Sequence, residues 1–371
     1  MTPTVGEVSR PGRVAGAGEG VGLDELRLAS RNHAMPAEML REPVTPPGLH
    51  YVLTHYDVPE IDPSTWRLEV GGHVQAPYAL DLAALHALPR RTDRVTLECA
   101  GNGRAVLDPR PVSQPWLDGA VGTADWTGVP LRALLERAGM ADGAVDVAFT
   151  GADHGFERGV EQDYERGLPL AEALADDVLV ADEMNGAPLP VQHGFPVRLV
   201  VPGYYGMAHV KWLTRVTVLD RAFDGFQNAV AYRIRAHADD PGTEVTRIEP
   251  RALLVPPGDP DFMSRERVLR PGQVRLRGRA WSGWAPVSRV EVSTDDGGTW
   301  QDADLEPEDA ELHRHAWRGF ELSWQATPGT HRLRVKAYDA SGRVQADGPQ
   351  WNRGGFANNG DQPVVVHVLD A

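Results

Sequence analysis

The sequence predicts an α+β domain followed by an all-β sandwich of immunoglobulin type. Three observations carry this. From Leu23 to about Pro250, helix-period segments are interleaved with strand-like runs. From about Arg251 no helix of length occurs, and alternating strands recur every 8–15 residues. Glycine (39) and proline (30) make up about a fifth of the 371 residues, a turn-rich composition that goes with β structure.

The elements follow in order. Residues 1–22 are rich in Gly, Pro and Arg without period and read as a flexible arm. Its glycines 16, 18, 20 and 22 follow no strand, so they form no phosphate loop. LDLAALHALP (80–89) starts at a capping Asp81 and stops at Pro89, as a helix does. TGVPLRALLERAG (127–139) has Pro130 near a helix start and Gly139 at its end, with Leu131, Leu134, Leu135 and Ala138 on one face. PLAEALADD (169–177) reads as a short helix. Strand-like runs are VTLEC (95–99), VDVAF (145–149), PVRLVVP (196–202) and VKWLTRVTVLD (210–220). ALLVPPGDPD (252–261) reads as the connection between a first domain, 23–250, and a second, 251–371. In the second, VRLRGRAW (274–281) alternates strictly. SRVEVS (288–293), TDDGG and TWQDADL form a predicted hairpin, followed by RGFELSWQA (318–326), HRLRVKAYD (331–339) and PVVVHVLD (363–370).

Composition excludes several function classes. Hydrophobic residues at 42% and charged residues at 24% describe a globular chain, not a disordered, collagen-like or coiled-coil one. A net charge of −15 is the wrong sign for a general binder of nucleic acid or anionic membranes. The single cysteine excludes an intrachain disulfide, a four-cysteine zinc site, a single-chain cysteine-ligated iron–sulfur cluster and a CxxCH haem attachment. No apolar signal core and no run of about 18 apolar residues occurs. The expected compartment is the cytoplasm.

Five clusters carry possible chemistry. Cys99 ends a strand and opens CAGNGR (99–104), where small residues let a bulky group approach the backbone and Arg104 favours thiolate. By frequency a lone cysteine is a buried structural residue. As chemistry it is a nucleophile, with His154 or His193 as candidate base, or a soft-metal ligand. One thiolate cannot hold a metal alone, so a cofactor would have to supply further soft donors. SRNHAMP (30–36) places Arg, Asn and His in succession without amphipathic period, which suits an exposed loop. HGFPVRLVVPGYYGMAHVKW (193–212) interleaves His193, Arg198, His209 and Lys211 with an apolar strand and glycines; that is either a solvated face or a set of donors for a phosphorylated cofactor. QDYERGLPL (162–170) puts Tyr164 in a polar loop before a helix. WNRGGFANN (351–359) is richer in Trp, Arg and Asn than a strand connection requires.

Taken together, VTLECAGNGR, RNH, HGFPVRLVVPG, HVKWL, the tyrosine before LPL and the WN…G…NN tail resemble the sulfite oxidase family of molybdopterin enzymes. The second domain resembles that family's immunoglobulin-like dimerisation domain, including AWSG (280–283) and STDDGGTW (293–300). The resemblance runs from about residue 23 to the C-terminus. It implies one molybdenum, held by the dithiolene sulfurs of a pyranopterin and by a protein thiolate that matches Cys99. It further implies Asn32, His33, Asp153, His193, Arg198 and Lys211 as pterin contacts. Arg31 and Arg104 match two substrate arginines, with Arg353 one residue before the position of a further one, Trp116 matches a pocket tryptophan and Tyr164 the active-site tyrosine. Two departures stand out. Animal members carry paired arginines after CAGN, where the first position here is Gly103. They also carry arginine at the fourth residue of the WN motif, where Gly354 stands here and Arg353 precedes it.

The implied activity is oxidation of sulfite to sulfate by oxo transfer. Electrons would pass to a separate acceptor, a cytochrome or a small oxidant, since no b-type haem domain is expected in this chain. A homodimer is expected, with no nucleic-acid or membrane partner. Two alternatives stay open. The same cofactor would serve nitrate or another oxo compound, or the chain is a dimeric scaffold with a relic first domain. A metal hydrolase is disfavoured because no HExxH spacing occurs, and His313 and His315 sit in a charged loop.

Overall fold

A computed structural model describes residues 2–307, 309, 312–361 and 363–370. The N-terminal part is built on two five-stranded sheets. In the first, Ala187–Pro188, Leu179–Met184, Val121–Pro130 and Arg91–Glu98 lie side by side, and Arg198–Val200 also pairs with Leu179–Met184. All its pairs are antiparallel. The second runs Tyr78–Leu80, Leu68–Gly72, Leu213–Leu219, Asp146–Glu157, Val160–Pro169, with one parallel pair between Leu68–Gly72 and Leu213–Leu219. Helix Leu131–Ala138 buries Leu131, Leu134, Leu135 and Ala138, the face its period predicts, and Gly139 ends it at φ +66°. Those side chains join Leu68, Val147, Phe149, Leu199 and Val216 in one core.

The C-terminal part is a sandwich. Arg251–Leu254, Gly272–Trp281, Arg318–Ala326 and Asp304–Leu305 form one sheet. Asp259–Pro260, Arg267–Leu269, Val364–Val368, Gly329–Asp339, Val287–Ser293 and Gln301–Asp302 form the other. Leu276, Val290, Val292, Phe320, Leu333 and Val366 fill the space between them, as alternating strands of two facing sheets must.

Three expectations are corrected. ALLVPPGDPD is no free connection: Arg251–Leu254 is a sandwich strand buried at every residue. QDYERGLPL is not a loop but part of strand Val160–Pro169, registered Arg166↔Phe149. Its polar outer residues hide the alternation, because the inward side chains are themselves polar, Tyr164 and Arg166. Pro130 closes strand Val121–Pro130 and caps the helix that starts at Leu131, as its expected place near a helix start requires. The segment expected as a free arm lies along the chain: Arg13 and Val14 pair with Val112 and Pro111. Arg110 anchors it through Glu25 (2.8 Å) and the Gly20 carbonyl (2.9 Å).

The two parts meet over a shared apolar cluster that includes Met35, Ala100, Met207, Trp281, Trp317 and Phe356. His315, expected to be solvated, binds Asp177 across this seam at 2.6 Å.

Candidate active site

Cys99 stands where strand Arg91–Glu98 stops. Its N–H donates to the Ala120 carbonyl at 2.8 Å, and its carbonyl accepts from Asn102 N–H at 2.9 Å, so the chain turns at once. The turn closes at Gly103, φ +82°, where a Cβ would lie 2.8 Å from Asn358 Nδ2. One residue before the thiol, buried Glu98 accepts from Arg251 (3.0 Å), Trp281 Nε1 (2.7 Å) and Asn102 Nδ2 (2.9 Å). Side chains from both parts of the molecule thus fix the strand end that carries Cys99.

Cys99 opens onto a recess of about 620 Å³, counting its open mouth. Asp153, Tyr164, His193, Arg198 and Lys211 line it as well, so six of the twelve predicted site residues come together. Burial pushes the Cys99 thiol up; the Arg104 charge, the Gly101 backbone and Trp116 oppose this. Trp116 packs in the same cluster as Cys99, with an indole nitrogen that has no other partner. Arg198 is buried, donates to the carbonyls of His193 (2.9 Å) and His209 (3.2 Å), and lies over the Trp126 ring at 4.7 Å. Burial lowers its pKa to about 10. Lys211 Nζ donates to the Leu53 and Gln192 carbonyls at 2.9 and 3.1 Å. Burial pulls the Lys211 ammonium down and pushes the Asp153 carboxyl up. Arg198 Nε and Asp153 Oδ1 are buried without partners. Such atoms in a lined recess call for a polar ligand.

The RNH triplet lies outside the lining of this recess. Arg31 donates to the Tyr56 carbonyl and pairs with Asp57 at 3.7 Å. Asn32 bonds the Leu28 carbonyl (3.0 Å), Gln114 (3.1 Å) and Thr54 N–H (2.8 Å). His33 bridges to Val52 through the backbone and reaches the His50 carbonyl at 3.0 Å. The triplet braces segment 50–56, and that segment supplies the wall: His50, Tyr51, Leu53 and His55. Arg104 and Arg353 also stand outside the lining. Arg104 lies behind the thiol, bonded to the Gly354 carbonyl at 2.9 Å and stacked on Phe356 at 5.1 Å. Arg353 is half-buried, with its N–H on the Arg235 carbonyl at 2.8 Å.

Several recess residues were missed by the sequence. Tyr232 and His55 are 2.6 Å apart, hydroxyl to Nε2. Burial raises the Tyr232 phenol far above its ordinary range and lowers His55 to about 3, so the phenol donates and the imidazole accepts. The Tyr164 hydroxyl donates to the Met207 carbonyl at 2.8 Å, and its ring lies 4.7 Å from His55. His50, His193 and His209 are held neutral by burial, at about 4, 2 and 3. The signals for these residues were the paired His-Tyr steps of LHYVLTHYD and the π-turn Gln227–Ala231 that delivers Tyr232.

Among the described residues no three His, Cys, Asp or Glu side chains are placed to hold a metal by themselves. A metal at Cys99 therefore needs ligands from a cofactor. The recess suits one: a single thiol at its base, cations for an anionic tail, and unspent buried donors and acceptors.

Comparison with known proteins follows this chemistry. Residues 55–227 match the family model of the oxidoreductase molybdopterin binding domain, and residues 245–368 that of the Mo-co oxidoreductase dimerisation domain. The chain is 36% identical to mitochondrial sulfite oxidase of Mus musculus, over 93% of this chain and 66% of that protein. It is 36% identical to sulfite oxidase of Gallus gallus, over 88% of this chain and 74% of that one. It is 32% identical to nitrate reductase [NAD(P)H] of Hordeum vulgare, over 88% of this chain but 39% of that protein. The chain thus spans just under two thirds of the length of the mouse relative, 66%. Among solved structures it resembles the sulfane dehydrogenase SoxCD from Paracoccus pantotrophus, with a TM-score of 0.77 and 27% identity, covering 91% of this chain and 86% of that one. The chain belongs to the sulfite oxidase family of molybdenum-cofactor oxidoreductases.

Proposed function

We propose that this chain oxidises sulfite to sulfate and passes the electrons to a separate acceptor. The observation that carries the reading is the lone Cys99 thiol at the base of a recess walled by His193, Arg198 and Lys211. Cys99 is the residue that would hold molybdenum, and His193, Arg198, Lys211 and Asp153 would hold the pterin and its phosphate. When bound, this group supplies two-electron redox chemistry and oxygen-atom transfer. The chain's own residues do the rest. Burial of Cys99 beside Trp116 would shield the metal-bound sulfur from water. Arg104, behind it, places a positive charge that favours the thiolate form of Cys99. The Tyr232–His55 pair holds a proton at the phenolic oxygen, and Tyr164, tied to the Met207 carbonyl, packs against His55.

Further parts of the proposal concern the whole chain. The division into a cofactor domain (23–250) and a dimerisation domain (251–371) has support in the two family matches, which change over between residues 227 and 245. The second match supports a homodimer. A second substrate is favoured by one observation: Arg31 and Arg353 do not line the recess. Nitrate is the oxo-anion to test, because a nitrate reductase is among the relatives.

The test uses protein purified from a host that makes the cofactor. Sulfite-dependent ferricyanide reduction is measured per bound molybdenum for the wild type and Cys99→Ser. Turnover in the wild type and a loss of at least ~100-fold in the variant is the expected result. Molybdenum at about one per chain with nitrate reduction and no sulfite turnover would transfer the assignment to nitrate.

A further inference from the structure

Resting on the reading of an oxo-anion substrate, we propose that the hydroxyl of Tyr51 is a further substrate donor, which meets an oxygen of the anion at the Cys99 end of the recess. The starting point is an inventory of donors. Arg31, Arg104 and Arg353 all stand outside the lining of the recess. Arg31 is committed to the Tyr56 carbonyl and to Asp57, and Arg104 to the Gly354 carbonyl. The oxygens of a bound anion then need donors from the wall itself.

Three phenols line the recess: Tyr51, Tyr164 and Tyr232. Tyr164 spends its proton on the Met207 carbonyl at 2.8 Å, and Tyr232 is paired with His55 at 2.6 Å. The Tyr51 hydroxyl has no hydrogen bond among the described residues. Yet the side chain is only 8% exposed. A buried hydroxyl without a partner costs free energy, and a polar ligand removes that cost. At neutral pH a phenol carries its proton, so the group stands ready as a donor. Arg198 Nε is also without a partner, but its side chain is tied to the His193 and His209 carbonyls and is one of the proposed cofactor contacts.

Local structure holds Tyr51 in place. His50 Nδ1 donates to the Tyr51 carbonyl at 3.1 Å, and the two rings stack at 5.2 Å. The next residue, Val52, exchanges both backbone hydrogen bonds with His33, at 2.9 and 3.2 Å. The RNH segment therefore acts on the site from behind, as the brace of this wall. Gly206 makes room at the hydroxyl end. A Cβ on Gly206 would overlap the Tyr51 hydroxyl and stand 3.6 Å from Cys99 Cα. The hydroxyl and the cysteine backbone thus flank the same glycine. A donor fixed before its ligand arrives loses little freedom on binding. The ligand class is a small oxo-anion such as sulfite, sulfate or nitrate, whose oxygens accept from a hydroxyl as they do from arginine.

The test compares Tyr51→Phe, which removes the hydroxyl and keeps the ring, with the wild type and with Tyr338→Phe, whose hydroxyl bonds Glu291 in the sandwich. Three readouts are taken on the holoenzyme at matched metal content: KM and kcat for sulfite, sulfate binding by calorimetry at matched ionic strength in chloride, and the midpoint potential of the bound metal. Tyr51→Phe should raise KM and weaken sulfate binding by about tenfold, with a much smaller change in kcat and an unchanged potential. Tyr338→Phe should behave as wild type in all three. Unchanged KM and sulfate affinity in Tyr51→Phe would overturn the proposal. A shifted potential with unchanged sulfate affinity would overturn it too, because the hydroxyl would then serve the cofactor. Absence of saturable sulfate binding by the wild type would do the same. If the wild type oxidises no sulfite yet binds sulfate, and Tyr51→Phe loses that binding, the sulfite assignment fails and the Tyr51 donor stands.

Discussion

Glu98 shows how one residue serves both stability and site. It is 1% exposed and one residue from Cys99, and it takes charge from Arg251 and a hydrogen bond from Trp281, both in the sandwich. Arg251 also pairs with Asp118 at 3.3 Å. Removing one partner of a buried pair leaves the other charge stranded, at about 3–5 kcal/mol. Arg251→Met should lose stability of that order, read as a lowered urea midpoint, and Glu98→Gln in the same chain should restore part of it. No loss in the single variant would mean that the Arg251–Glu98 pair does not hold this node together. At this scale the sequence was informative where a side chain sits on a strand or at its end. Cys99, Arg198 and Lys211 follow from that, and all three line the recess. Arg31, Asn32 and His33 lie outside its lining. Their contacts are with the backbone and side chains of the adjoining wall. The pairing of His55 with Tyr232 was not legible, since it spans 177 residues.

At the scale of elements, apolar periodicity carried through. Helix Leu131–Ala138 and strand Gly272–Trp281 lie where their periods put them, because each has one face that must leave water. Strand Val160–Pro169 escaped because its buried face holds a tyrosine and an arginine. Arg166 is satisfied there by the Gln227 carbonyl at 2.6 Å and Glu244 at 3.0 Å, partners no local pattern announces. Arg251–Leu254 escaped for a related reason, as a four-residue strand that begins on a buried arginine beside prolines. The loop 351–359 was flagged by composition alone. Its asparagines turn out to be structural ties: Asn358 Nδ2 donates to the Gly103 carbonyl at 2.9 Å and Asn352 Nδ2 to the Phe356 carbonyl at 2.7 Å. That loop holds the cysteine turn from behind.

The whole molecule stores a set of neutral histidines around its recess. Burial holds His50, His55, His193 and His209 at about 4, 3, 2 and 3, against an ordinary 6.5. The unfolded chain takes up protons below 6.5 and the folded chain does not. Stability is therefore complete above about pH 6.5 and is lost as pH falls toward the folded values, at up to about 1.4 kcal/mol per pH unit for each histidine. The urea midpoint should drop clearly between pH 7.5 and pH 5.0. An unchanged midpoint would show that these rings are not buried in neutral form.

No helix among the described residues is long and apolar enough to cross a membrane. The two halves share one apolar cluster and the Glu98 node, so the sandwich helps to place Cys99. The central claim, that Cys99 is the protein's ligand to molybdenum, is tested most directly by X-ray absorption at the molybdenum edge. In the wild type the metal should show about three sulfur neighbours, and in Cys99→Ser about two. Three sulfurs persisting in the variant, or fewer than three in the wild type, would contradict it.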